Sequence, residues 1–180
     1  MRVKQVTKRA LQYLLGKEIS KLRVDTLDDA DVVSFDVFDT LVLRSCSSPE
    51  IVFDIVERRY NATHSKKPIC GFRADRVAAE SVARGMMDGA EPTIFDIYAM
   101  LSDEYRHIAS DLLRLELDTE VNICRANPEA KALYETAVDK RKRIVIASDM
   151  YLDSNTISRI LVKCGYEGTV PVVLTGDGGF

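Results

Sequence analysis

The stretch VVSFDVFDTLVLR, residues 32–44, decides how the rest of the chain is read. It opens on an apolar run, meets a carboxylate at Asp36, then Phe38, then a second acid at Asp39, and leaves through Thr40 toward Arg44. A short run rich in valine reads as a buried strand, and apolar residues without alternation suit a parallel sheet covered on both faces. An acid at the end of such a strand stands where open α/β sheets bind their ligands.

Two further runs have the same character, RIVIAS at 143–148 and PVVLT at 171–175. Between them DSNTISRILVKCGYEG places Ile157, Ile160, Leu161 and Cys164 at helical spacing, with Asp153 or Ser154 as the N-cap and Gly165 as the stop. These parts form one βαβ unit. The first crossover differs, because Asp36 and Ser148 are 112 positions apart, and a helical crossover needs only a dozen or more residues. The insertion between them reads as helical. Pro49 opens PEIVFDIVERRY after Ser48, FRADRVAAESVARGMM runs from Phe72 with Gly85 as its first breaker, and IFDIYAML sets Ile94, Ile97, Tyr98 and Leu101 on one face. A longer run, RHIASDLLRLELDTEVNIC, follows, and Asn127 with Pro128 caps a last helix that leads into the second strand. The expected fold class is α/β: a Rossmann-like core at 31–44 and 126–180, three strands of which are visible, with a helical cap at 45–125.

Composition sets the outer limits. The chain has 180 residues, 46% hydrophobic and 29% charged, enough for a compact domain with a real core. A net charge of −3 gives no reason to expect nucleic acid as a partner. The first 24 residues carry seven basic side chains against the single acid Glu18, so residues 1–30 read as a basic helical arm. Solvent, an anionic membrane surface or a protein partner would each suit it. No apolar run is long enough to cross a membrane and no signal-peptide core opens the chain, so a cytoplasmic location is expected. Cys46, Cys70, Cys124 and Cys164 are scattered without a CxxC pair and read as free thiols.

The order of these parts carries a resemblance. With SFDVFDTLV closing the first strand, a helical insertion directly after it and IVIASDMYL closing the second, the chain resembles the haloacid dehalogenase superfamily, dominated by aspartyl-phosphate phosphatases. Within it, the chain is similar to a bacterial branch of hydrolases with FD-x-FDTL-x-x-R and SDMYL signatures, some of which stand beside or are fused to glycosyltransferases of surface-polysaccharide synthesis. The likeness covers residues 31–180. It implies that Asp36 is a nucleophile forming an acyl phosphate, that Ser148 donates its hydroxyl to a phosphate oxygen, and that Thr40 holds the turn or the carboxylate in place. It also implies Mg²⁺, held by Asp36, the backbone carbonyl of Phe38 and Asp177, to offset the repulsion between two anions.

Two departures qualify that reading. Phosphatases of this type carry a second Asp where this chain has Phe38, as a general acid worth about 10²–10⁴-fold, and phenylalanine transfers no proton. The family's dehalogenases also have an aromatic residue there, since a halide needs no protonation. Phe38 therefore fits a phosphohydrolase acting on a good leaving group, a dehalogenase-like hydrolase, or a binding domain that has lost turnover. Asp39 does not replace the acid if the segment stays extended, because alternation turns it away from Asp36 and Phe38.

The second departure lies in VPVVLTGDGGF, where no lysine follows the third strand and Asp177 comes too early to follow a fourth. The core thus looks shortened, with the first strand on an open sheet edge that invites a partner chain. Arg44 is a candidate for contact with an anionic substrate, or for a salt bridge to the cap, and Asp149 for assisting Ser148 at the substrate or capping the following turn. Arg73, Arg76, Glu80 and Arg84 read as an ordinary surface ladder, the last three at i, i+4 spacing. The leading expectation is a hydrolase of a small phosphorylated metabolite, such as a sugar phosphate; a catalytically weak interaction domain is the competing one.

Overall fold

The structure is a computed structural model that describes residues 3–6, 27–166 and 172–174. The fold is mixed α/β and divides into two units. The first comprises residues 1–44, 124–148 and 161–175; the second comprises 45–123, 149–160 and 176–180.

The first unit is built on a four-stranded parallel sheet of β1 (Val3–Val6), β2 (Val32–Asp36), β5 (Arg143–Ser148) and β6 (Val172–Leu174), in the order β1-β2-β5-β6. All three strands expected from the sequence are present. Val32, Val33, Phe35 and Val37 are all buried, although neighbours along a strand point to opposite faces, so β2 is covered on both sides. A short antiparallel ribbon joins β3 (Val42–Arg44) to β4 (Cys124–Ala126). Helix α6 (Pro128–Asp139) starts as expected at Asn127, whose side chain accepts from the Glu129 N–H at 3.3 Å, with Pro128 in the first turn. Its Tyr134 links Phe35 of β2 to Tyr166 through ring contacts of 5.7 and 5.0 Å.

Three expectations about this unit are corrected. The arm at 1–30 is not helical throughout: Val3–Val6 is a strand paired in parallel with β2, Val3 opposite Val32 and Val6 opposite Phe35, while residues 7–26 lie outside the described residues. The far side of β2 is consequently paired, which removes the open edge proposed as a partner surface there. The long helix of the insertion stops at Ile123, and Cys124 begins a strand, because its backbone pairs with Arg44.

The second unit is mainly helical: α1 (Ile51–Thr63), α2 (Phe72–Met86), α3 (Ile94–Ala99), α4 (Asp103–Arg106), α5 (Ala109–Ile123) and most of α7 (Ser154–Lys163). Helix α1 buries Val52, Phe53, Val56 and Tyr60 along one stripe; α2 buries Phe72, Arg76, Ala79 and Ala83. Thr93 and Asp96 form a capping box on α3. Asp153 is the N-cap of α7, accepting from both the N–H and the hydroxyl of Thr156 at 2.9 and 2.8 Å.

The surface ladder expected on α2 is also corrected. Its ion pairs form, Arg76 and Arg84 both reaching Glu80, but Arg76 is 0% exposed. Its guanidinium forks onto Glu116 of α5 at 2.8 and 3.1 Å and lies over the rings of Phe53, Tyr151 and Tyr98 at 4.7, 5.0 and 5.7 Å. Glu116, also 0% exposed, accepts a further bond from the Tyr98 hydroxyl at 2.7 Å. Burial alone would lower the proton affinity of Arg76, but the adjoining Glu116 carboxylate outweighs it and holds the guanidinium above its ordinary value. Burial pushes the Glu116 carboxyl up, countered in part by Arg76 and Tyr98.

Candidate active site

The candidate site lies at the carboxyl ends of β2 and β5. In the parallel register Asp36 is opposite Ala147, so Ser148 stands one residue further along the neighbouring strand. Ser148 is 3% exposed and Asp36 is half-buried. The sheet thus brings together two of the residues singled out in the sequence, from positions more than a hundred residues apart.

Beyond Asp36 the chain does not stay extended. Leu41 N–H donates to the Asp36 carbonyl at 3.4 Å and Val42 N–H to the Val37 carbonyl at 2.9 Å, which folds residues 36–42 into a tight turn. Asp39 takes φ 55°, the left-handed conformation that Asp tolerates better than most residues, and is exposed. The alternation argument about Asp39 therefore does not apply, because the backbone bends before reaching it. Thr40 is 0% exposed, and its Oγ1 donates to Asp36 Oδ2 at 2.7 Å. A bond of that length restricts the rotation of the Asp36 carboxyl group.

Two residues hold this turn that sequence reasoning did not connect with it. The Asn127 side-chain amide donates to the Thr40 carbonyl at 2.8 Å, and the Asn127 N–H donates to the Leu41 carbonyl at 2.9 Å. The Tyr166 hydroxyl donates to the same Leu41 carbonyl at 2.6 Å. Burial pushes the Tyr166 hydroxyl above its ordinary value, which favours its protonated, donating form. Tyr166 follows Gly165, which takes φ 76° where α7 ends, and the Tyr166 N–H closes that end onto the Leu161 carbonyl at 3.0 Å. Asn127 could be read only as a helix cap, since nothing in local spacing says that its amide reaches 87 positions back.

The turn also returns Arg44, at the end of β3, to Phe38: the guanidinium carbon lies 4.2 Å from the ring centre. Asp149 is exposed and belongs to the second unit. Asp177 lies outside the described residues. Lys163 is exposed, and its amine donates to the Cys124 carbonyl at 2.8 Å within the first unit. Among the described residues no group of three or more His, Cys, Asp or Glu side chains could hold a metal ion. Among those residues too, no helix is long and apolar enough to cross a membrane, and all four cysteines are free thiols.

No protein-family model matches the chain, and no curated protein matches it.

Proposed function

We propose that the chain is a hydrolase of the haloacid dehalogenase type, which removes phosphate from a small phosphorylated metabolite through an aspartyl phosphate on Asp36. Sugar phosphates are the first class to test. The observation that carries this reading is the carboxylate of Asp36 at the carboxyl end of a central parallel strand, with Oδ2 fixed by Thr40 at 2.7 Å and Ser148 one residue on along the next strand. A nucleophile must be held in one orientation to make a near-attack geometry, and Thr40 supplies that restraint. Asp36 would attack phosphorus while the Ser148 hydroxyl donates to a phosphate oxygen, and water would then hydrolyse the acyl phosphate. Mg²⁺ belongs to this proposal, with Asp36 and the Phe38 carbonyl among the groups that would hold it, and it would supply positive charge between the two anions.

The test is hydrolysis of p-nitrophenyl phosphate and a panel of sugar phosphates by the purified chain, with and without Mg²⁺, beside Asp36→Asn. Turnover that disappears in Asp36→Asn is expected. Turnover unchanged by that substitution removes the nucleophile assignment, and none in either protein favours an interaction domain without catalysis.

A further inference from the structure

The turn after β2 is held more tightly from outside than by its own backbone. Within it the Thr40 N–H reaches the Val37 carbonyl and the Leu41 N–H the Asp36 carbonyl, both at 3.4 Å, past the usual range for a strong bond. Only the Val42 N–H makes a short one, to the Val37 carbonyl at 2.9 Å. Asp39 at φ 55° adds a conformation that an L-residue adopts at a cost. The bonds that arrive from elsewhere in the first unit are short. Asn127 donates to the Thr40 and Leu41 carbonyls at 2.8 and 2.9 Å, and the Tyr166 hydroxyl donates to the Leu41 carbonyl at 2.6 Å. They fall on Thr40 and on the residue after it, and the Thr40 side chain is the one that meets Asp36 Oδ2. Tyr166 is 2% exposed, and its ring stands edge-on to Tyr134 at 5.0 Å, which fixes where the hydroxyl lies.

We propose that Tyr166 is a positioning residue for the nucleophile: by holding the Leu41 carbonyl it sets the backbone at Thr40 and, through Thr40 Oγ1, the rotation of the Asp36 carboxyl group. The proposal rests on the reading of Asp36 as nucleophile and extends the site to the chain just past the end of α7. Tyr166 acts only through the turn. Its loss changes how much of the time Asp36 is aligned for attack, not how well the phosphoryl group is bound, so the effect belongs to kcat. Asn127 acts on the same two carbonyls, but its removal also uncaps α6. Tyr166→Phe deletes one hydroxyl, keeps the ring against Tyr134 and leaves the Leu41 carbonyl the Asn127 N–H as a donor.

The experiment measures kcat and KM on p-nitrophenyl phosphate for wild type, Tyr166→Phe, Thr40→Val and the double variant, beside Asp36→Asn, together with hydrogen exchange of the Leu41 and Val42 N–H groups. Tyr166→Phe should lower kcat about 10-fold with KM unchanged, and the melting midpoint by only about 2–4 °C, as loss of one buried hydrogen bond predicts for a chain of this length. Exchange at Leu41 and Val42 should quicken, because both groups donate within the turn. If Tyr166 works through Thr40, the double variant is no slower than Thr40→Val alone, whereas two independent effects would add. A merely structural hydroxyl would leave kcat intact at a temperature where the variant is fully folded. Wild-type kcat in Tyr166→Phe, a second full loss on top of that of Thr40→Val, or unchanged exchange overturns this proposal, and with Asp36→Asn inactive the hydrolase reading stands. Turnover that survives Asp36→Asn, or none in the wild type, overturns both.

Discussion

Replacing Arg76 by methionine keeps most of the alkyl stem and removes the guanidinium from the centre of the second unit. The loss can be worked from its partners. Arg76 makes three charge-assisted bonds, two to Glu116 at 2.8 and 3.1 Å and one to Glu80 at 3.0 Å, and both Arg76 and Glu116 are 0% exposed. Without Arg76 the Glu116 carboxylate keeps the Tyr98 hydroxyl but no countercharge in this network. Removing one partner of such a pair costs about 3–5 kcal/mol, whereas replacing both by apolar residues is often nearly neutral. For a chain of this length that corresponds to a fall in Tm of roughly 6–20 °C.

The deficit must also depend on pH. Burial already holds the Glu116 carboxyl above its ordinary value, and loss of Arg76 raises it further. A carboxyl raised in the folded state contributes stability that is complete below the unfolded value, about 4.3, and is lost as pH rises through the folded one. Arg76→Met should thus lie closer to wild type at pH 5 than at pH 8, and Arg76→Met with Glu116→Leu should recover most of the loss. Urea denaturation followed by circular dichroism at both pH values is the assay. A single variant within about 1 kcal/mol of wild type at pH 8, or an equal deficit at both pH values, refutes the reasoning.

Further predictions concern the turn after β2. Thr40→Val, nearly isosteric at a buried position, removes the bond to Asp36 Oδ2 and should lower kcat about 10- to 100-fold on p-nitrophenyl phosphate with little change in melting temperature. Asn127→Ala removes both the α6 cap and the bond to the Thr40 carbonyl, and should cost about 1–3 kcal/mol by urea denaturation, more than an ordinary cap. Gly165→Ala forces a side chain into φ 76° and its Cβ to within 2.6 Å of Lys131 Nζ. The lysine can swing away, so the backbone term should dominate, at about 1–2 kcal/mol in the same measurement.

The sheet and the position of Asp36 were legible because β2 and β5 are continuous apolar runs that end on a polar residue. Strand β1 was not, since VKQV sets two adjacent polar residues between two valines inside a basic stretch, and an edge position tolerates such a pattern. The β3–β4 ribbon escaped notice because three-residue strands carry almost no periodic signal. Burial of Arg76 could not be read either, because an Arg–Glu pair at i, i+4 looks the same on a wet face as in a core. Its deciding partner, Glu116, lies 40 positions away. The contact of Arg44 with Phe38 depends on a tight turn at a left-handed Asp39, which an extended reading of the segment hides.

The most direct test of Asp36 as nucleophile is to mix the chain with radiolabelled acetyl phosphate, quench with acid within one turnover, and map the label to peptides. Label on the peptide spanning residues 32–44, absent from Asp36→Asn, is the result expected. Label on a different peptide, or turnover with no label on Asp36 at any time point, contradicts it.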